Sequence, residues 1–260
     1  MKISNYTILL LSLVVLLTPA FANAACPNPD DPIATDRSSV ANSSSVLPAA
    51  SIQFENGISN TRDQGITTYD LTETRVRIGL GGCTEFLVDL PNYTHAEVSN
   101  GGVSGFSNLG PAVKHQFPEF ISGLILSATL GVYLNTGDST IAGAGPAPYA
   151  QLPWSVDLGS NWSINGMLSA TSHRHDVNNN AAYQTSVYLD RIINDNADMF
   201  VEYINDYQLA AMTVNRVDIG GSYRLTPHQQ LDAKVGAGLN SAAPSWYFTV
   251  GYSFRFDHLF

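Results

Sequence analysis

The sequence predicts an all-β fold, a transmembrane up-and-down antiparallel β-barrel of about 12 strands. Three observations predict it: apolar and polar residues alternate along most of the chain, short and long connections alternate, and an export signal stands first. Hydrophobic residues make up 44% of the 260 residues and charged residues only 13%, where about a quarter is usual. That composition does not suit an ordinary soluble surface.

Residues 1–24 have the pattern of a signal peptide. Lys2 supplies the positive charge, residues 8–17 are apolar, and Ala22-Asn23-Ala24 has the small-x-small pattern of a cleavage site. The apolar run is shorter than the roughly 20 residues that a membrane-spanning helix needs. A lipoprotein signal ending before Cys26 would carry an aliphatic residue where Asn23 stands. We therefore expect export followed by cleavage after Ala24.

Residues 25–48 are rich in Pro, Ser, Asn and Asp, which favour turns and irregular structure. We expect this stretch to be an irregular periplasmic lead-in. The barrel itself is then predicted to span residues 49–260.

Period-two alternation is clearest in residues 231–240. Leu231 and Val235 fall on one face of a strand, whereas Asp232 and Lys234 fall on the other. A helix would instead bring Asp232 and Val235 together on one face. The predicted strands are residues 51–59, 73–80, 83–98, 106–117, 121–134, 151–158, 162–170, 183–190, 198–203, 216–225, 231–240 and 245–256.

The connections test the barrel independently of the strands. Outer-membrane barrels alternate short periplasmic turns with longer external loops, and a two-sheet sandwich has no reason to do so. The predicted short turns are residues 81–82, 118–119, 159–161, 194–196 and 226–228. The longer connections are 60–65, 99–105, 135–148 and 175–180, and those at 206–213 and 241–244 are intermediate in length.

The last strand carries an aromatic ladder. In Trp246–Phe256 every second residue is aromatic or aliphatic, and this face would meet outer-membrane lipid. A final strand ending in Phe resembles the signal read by the outer-membrane insertion machinery. Either Phe256 or the terminal Phe260 could serve, since both keep the same register.

The charged residues of the strands fall on the predicted inner face. Exposing one to hydrocarbon near the midplane would cost roughly 2–4 kcal/mol. They would either line a wet conduit or form a salt-bridged filling that closes a narrow barrel. The candidates are Glu73, Arg75, Arg77, Glu202, Arg216, Asp218, Arg224, Asp232, Lys234 and Arg255.

The two cysteines fall on the same side of the predicted topology. Cys26 lies in the lead-in and Cys83 follows a short periplasmic turn, so both face an oxidising compartment. The hypothesis is a Cys26–Cys83 disulfide that ties the lead-in across or beside the barrel mouth. The alternative is a pair of free thiols.

The net charge and the absence of matching sequence motifs argue against several other functions. The net charge of −10 does not suit a nucleic-acid-binding surface. An outer-membrane lipid hydrolase would need a serine two residues before a histidine on a lipid-facing strand, but Thr171 precedes His173 at that spacing. His173 and His175 supply only two metal ligands. We assign no catalytic residue, cofactor or metal, and an outer-membrane lipid hydrolase is kept only as the least favoured alternative.

Several stretches resemble one protein family. These are TTYDLTETRVRIGLGGCTEFLVDLP, LILSATLGVYLNTGD, PWSVDLGSNWSINGMLSAT and VDIGGSYRLTPHQQLDAKVGAGLNSAAPSWYFTVGYSFRF. They resemble the outer-membrane transporter family named for the meta-pathway of phenol degradation. The resemblance implies a β-barrel in the bacterial outer membrane that passes small aromatic or other hydrophobic molecules.

Two functions therefore follow from the sequence. The first is an outer-membrane channel or transporter for small-molecule solutes. The second is a sealed barrel with a structural or interaction role. Conductance in a bilayer separates them.

Overall fold

The structure is a computed structural model that describes residues 26–98, 101–143, 145–172, 181–208 and 211–260. The predicted signal peptide, residues 1–24, lies outside the described residues, and so do His173 and His175.

The described residues form fourteen strands and one short helix. Every strand pairs antiparallel with its neighbours. The elements are β1 (Ile52–Asp63), β2 (Ile66–Gly81), β3 (Thr84–Asp89), β4 (Tyr93–Val98), β5 (Gly101–Phe106), β6 (Gly110–Gln116), β7 (Leu124–Tyr133), α1 (Ser139–Ala142), β8 (Ala147–Gly159), β9 (Trp162–Ser172), β10 (Ala181–Asn194), β11 (Ala197–Gln208), β12 (Val214–Thr226), β13 (Gln229–Gly238) and β14 (Trp246–Phe256). Among these residues, no helix has the length and apolar character needed to cross a membrane.

The sheet closes into a barrel because β1 pairs with both β2 and β14. Strands β3 and β4 both pair with β2, one along each half of it, so they form a single barrel strand interrupted at residues 90–92. Strands β5 and β6 continue each other in the same way, pairing with β4 and β3. Counted so, the barrel has twelve strands, and the predicted fold is confirmed.

The alternation along each strand decides which side chains face outward. In β13 the outward Leu231 and Val235 are 44% and 53% exposed, whereas the inward Asp232 is 5% exposed. Successive side chains of a strand point to opposite faces. The apolar face of each strand therefore covers the outside of the barrel, where it contacts lipid.

The connection between β1 and β2 differs from its prediction. Instead of a long loop at residues 60–65, the chain makes a two-residue turn at Gln64 and Gly65, with φ angles of 45° and 88°. Positive φ at both central residues is the signature of a type I′ hairpin. Because the pairing continues to this turn, β1 is 12 residues long and β2 is 16.

Residues 26–50, which we call the plug, lie inside the barrel rather than below it. The plug enters at the short-turn end, where the Ile33 N–H donates to the Pro227 carbonyl. It crosses the lumen, with Ala41 and Val46 almost fully buried, and returns to the same end at Ala50. The lead-in that we expected in the periplasm, across or beside the barrel mouth, is thus packed against the charged inner wall, because that wall satisfies its polar backbone.

Candidate functional site: a plugged lumen

Inner-wall carboxylates hold the backbone of the plug. Glu202 on β11 accepts hydrogen bonds from the N–H groups of Val40 and Ala41, at 2.7 and 2.9 Å. Glu85 on β3 accepts from the Leu47 N–H at 2.7 Å. Irregular backbone taken out of water needs such partners, and charged acceptors form the stronger hydrogen bonds. The plug is therefore bound from opposite walls.

Asp36 is the main anionic anchor of the plug. Its carboxylate lies 2.9 Å from Arg75 Nη1 and 3.2 Å from Lys114 Nζ, while its N–H donates to Glu55 at 2.9 Å. Burial by itself would raise the pKa of Asp36. The Coulombic attraction of Arg77, Lys114 and Arg75 outweighs it and holds the pKa well below its usual range. Asp36 is accordingly a fixed negative charge.

Arg77 braces both limbs of the plug. Its fully buried guanidinium pairs with Glu55 at 3.0 Å and with Glu85 at 2.9 Å. It also donates to the carbonyl oxygens of Ala34 and Ser45, each at 3.0 Å. One wall residue thereby fixes the spacing between the entering and the returning limb.

Arg37 of the plug fits a slot in the barrel wall. The floor of the slot is Gly57 of β1 and its cross-strand partner Gly251 of β14. A Cβ on either residue would run into the Arg37 guanidinium. Two carboxylates flank the slot: Glu73 lies 3.0 Å from Nη1 and Asp232 lies 3.5 Å from Nε.

Above the plug, the lumen holds a cavity of about 1030 Å³ that extends toward the long-loop end. Polar residues of the plug form its floor and inward-facing barrel residues form its walls. The floor includes Asp36, Arg37 and Asn42, the walls include Glu73, Arg75, Asp89, Tyr133, Gln151, Asp206, Arg216, Lys234 and Tyr247, and Thr61, Asn108 and Met212 lie near the rim.

The charged groups around this cavity form pairs of opposite sign. Such pairs present dipoles to the lumen rather than a field of one sign. The nitrogen–oxygen distances are 2.6 Å for Arg216–Asp206, 2.6 Å for Arg75–Asp89 and 3.5 Å for Lys234–Asp218.

Tyrosine rings lie on two opposite walls of the cavity region. Tyr133 and Tyr149, on β7 and β8, stack with ring centroids 4.8 Å apart. Six strands away, Tyr247 on β14 donates a hydrogen bond to Asp218, and the Arg216 guanidinium carbon lies 5.7 Å from its ring centroid. The lumen therefore offers aromatic surfaces beside its charge pairs.

The structure separates the ten charged candidates into three groups. All ten belong to the inward-facing register of their strands. Glu73, Arg75, Arg216 and Lys234 line the cavity, Arg77, Glu202, Asp218, Asp232 and Arg255 lie at the level of the plug, and Arg224 donates to the Asp195 carbonyl at the short-turn end.

Four residues at the centre of the contact between the plug and the barrel wall were not predicted from the sequence. Glu55 and Lys114 lie in segments with weaker alternation, although the polar positions around Glu55 carried a usable signal. Asp36 and Arg37 lie in a stretch with no period, and only their contacts with distant strands reveal their place.

In the structure a disulfide joins Cys26 to Cys83, with the two Cα atoms 5.1 Å apart. Cys83 lies in the turn between β2 and β3, so the start of the plug is tied to the rim of the barrel. Within the described ranges, no three His, Cys, Asp or Glu side chains are grouped as metal ligands would be.

Comparison of the sequence with protein families decides where the chain belongs. The family described as "Putative MetA-pathway of phenol degradation" matches residues 35–256, from the plug to the end of β14. The chain belongs to this family. No curated protein sequence matches it.

Solved structures show the same fold as this family member. An outer membrane channel from Pseudomonas putida F1 has a TM-score of 0.63 and 12% identity, with 81% of this chain and 97% of that chain covered. The NanC porin has a TM-score of 0.55 and 8% identity, covering 78% and 98%. The KdgM porin has a TM-score of 0.52 and 12% identity, covering 79% and 99%. The closed barrel and its apolar outer face place the protein in the bacterial outer membrane.

Proposed function

We propose that this protein is a plugged outer-membrane channel for small solutes, with the cavity above the plug as its entrance. The observation that carries the proposal is that cavity of about 1030 Å³, floored by a segment whose contacts with the barrel wall include many hydrogen bonds and ion pairs. Its volume is near the upper end of the usual range for small-molecule sites, ~300–1,000 Å³. Passage to the other side then requires the plug to move.

The walls suit solutes that are neutral and aromatic. Paired charges offer hydrogen bonds without favouring either sign of ion, and Tyr133 and Tyr247 offer ring surfaces on opposite walls. The description of the family, which refers to phenol degradation, supports the same class of solute.

Swelling of proteoliposomes tests the solute class. Phenyl glucoside and cyclohexyl glucoside are matched in size, and both are too polar to cross lipid quickly. In a variant with a weakened plug, Arg37→Ala, we expect phenyl glucoside to enter faster by about two- to tenfold, the range expected for an aromatic contact. Tyr133→Leu and Tyr247→Leu should remove that preference. If both glucosides enter the Arg37→Ala variant at equal rates while both tyrosines are present, the preference for aromatic solutes is wrong, but the proposal of a channel is not affected.

A sealed barrel is the second candidate, because the plug contacts opposite walls through Glu85 and Glu202. It predicts that no solute enters through the wild-type protein, whose plug is intact. Entry of either glucoside through the wild-type protein, faster than into protein-free liposomes, would exclude it.

A further inference from the structure

The plug is covalently joined to the barrel at two neighbouring points. Its end continues through Ser51 into β1, and its start is bonded to Cys83 just after β2. Strands β1 and β2 are paired there, with Ile52 opposite Ile78. Both attachments therefore lie on one edge of the short-turn mouth.

Within the described residues, the contacts of the plug with the other walls are noncovalent. Asn42 donates to Gln151 on β8 at 2.9 Å, and Glu202 on β11 accepts from the backbone at Val40. The plug lends no strand to the barrel sheet. Residues 27–50 can consequently leave the lumen as a loop hinged at that edge without breaking any strand pairing.

We propose that the Cys26–Cys83 disulfide is a redox latch on the plug, an inference that rests on the proposed channel function. With the bond formed, a released plug is a closed loop held at the mouth, and it docks again readily. With the bond reduced, the start of the plug is free, and the released state gains chain entropy. For a closed loop of about 25 residues the entropy difference corresponds to a rise of about thirty- to several-hundredfold in the ratio of open to closed channels.

The chemistry requires a dithiol as reductant. Cys26 is the more exposed partner, since Cys83 is only 8% exposed. A thiolate of the dithiol attacks the Cys26 sulfur, the disulfide breaks, and Cys83 leaves as a thiolate that takes a proton. The second thiol of the reductant then displaces Cys26, so the protein gains two electrons and two protons and the reductant becomes a cyclic disulfide.

Noncovalent contacts near the latch remain after reduction. Arg255 donates to the carbonyl oxygens of Pro29 and Asp31, each at 2.8 Å. Reduction should therefore shift the balance between plugged and open states and leave the barrel folded.

The experiment records single-channel currents of the mature protein in planar bilayers before and after dithiothreitol. We expect open probability to rise at least tenfold, and to fall again when the reductant is replaced by an oxidant. Cys26→Ser/Cys83→Ser should show the high open probability from the start and should not respond to dithiothreitol. Heat-modifiable migration on gels shows that the barrel stays folded in each state.

Two failures are distinguishable. If Arg37→Ala conducts but dithiothreitol leaves the wild-type open probability unchanged, the latch is wrong and the channel stands. If even the variant lacking residues 33–48 carries no current, the proposed function is wrong, and the latch falls with it.

Discussion

Arg37 is the residue whose surroundings explain most about how the plug is held. The guanidinium reaches Glu73 with one nitrogen and donates to Thr249 at 2.7 Å with another. Gly57 and Gly251 leave the space it occupies. A lysine has a single point of charge and could not make this fork of contacts. The slot is therefore specific for an arginine on the plug.

Replacing Arg37 by alanine should loosen the plug. Losing charge-assisted hydrogen bonds in a mostly buried slot costs about 2 kcal/mol, or roughly a thirtyfold rise in open probability. Single-channel recording measures this open probability. Arg191→Ala is the matched control, because Arg191 is exposed on the outer face beside Trp162. Equal open probabilities for the two variants would contradict the slot.

Gly57→Ala should act through Arg37 alone. The atoms nearest to an added Cβ all belong to the Arg37 guanidinium, so the substitution should open the channel about as much as Arg37→Ala does. In an Arg37→Ala background it should have almost no further effect, because the slot is already empty. A double-mutant cycle measures this coupling, and additive effects would refute the shared mechanism.

The pKa of Asp36 determines how this residue's contribution to plug docking depends on pH. In the released plug its pKa is ordinary, about 3.9, whereas in the docked plug the pKa is held well below that. Its contribution to docking is therefore complete above about pH 4 and is lost as the pH falls below that value. Asp36 should therefore contribute no change in open probability between pH 7 and pH 5.

Asp36→Asn should open the channel throughout that pH range. Removing one partner from a buried ionic cluster costs roughly 3 kcal/mol, since Lys114 and Arg77 then lose a neighbouring carboxylate. Wild-type open probability that already rises between pH 7 and pH 5 would show that another group controls docking.

The strands and the plug differ in what surrounds their side chains. A strand such as β13 faces lipid with Val235 and faces the lumen with Lys234, so its two faces need different residues. The plug lies inside the lumen and does not meet lipid, and its few apolar residues, such as Ile33, Val46 and Leu47, are buried there. Regular alternation in one element and irregular polar sequence in the other follow from those surroundings.

Val235→Arg should destabilise the folded barrel in lipid by about 2–4 kcal/mol, because it places a charge on the lipid-facing side of a strand. Equilibrium unfolding in urea with lipid vesicles measures the change. Val235→Leu, which keeps the side chain apolar, is the control. A variant as stable as the wild type would mean that this face does not meet hydrocarbon.

The barrel as a whole does not depend on the plug for closure. Its sheet is closed by the pairing of β1 with β14, which runs from Ile52–Phe256 to Arg62–Trp246. No part of the plug takes part in that ladder. Plug and barrel should therefore be separable in folding.

Deletion of residues 33–48 should leave a folded barrel. The wall charges left behind can bind water, and they keep partners of their own, such as Glu85 for Arg77. Resistance to unfolding by detergent without heating, followed by gel migration, checks this. Loss of that resistance would show that the plug is a structural core rather than a movable segment.

Three parts of the chain show what could and could not be predicted from the sequence. Asp232 and Val235 were assigned to opposite faces correctly, because pleating alternates side chains at every step. Residues 60–65 were assigned to a loop because their polarity hid the continued pairing of β1 with β2. Arg37 could not be assigned at all, since its partners lie on β1, β2, β13 and β14.

The closed barrel and its inward charges could be predicted from the order of the amino acids, because lipid on one side of each strand and water on the other constrain each residue locally. The fate of residues 26–50 was not, because nothing local distinguishes a polar tail in solution from a polar segment inside a barrel. That difference arises only when strands far apart in the chain close around the segment and offer it Glu55, Glu85 and Glu202 as partners.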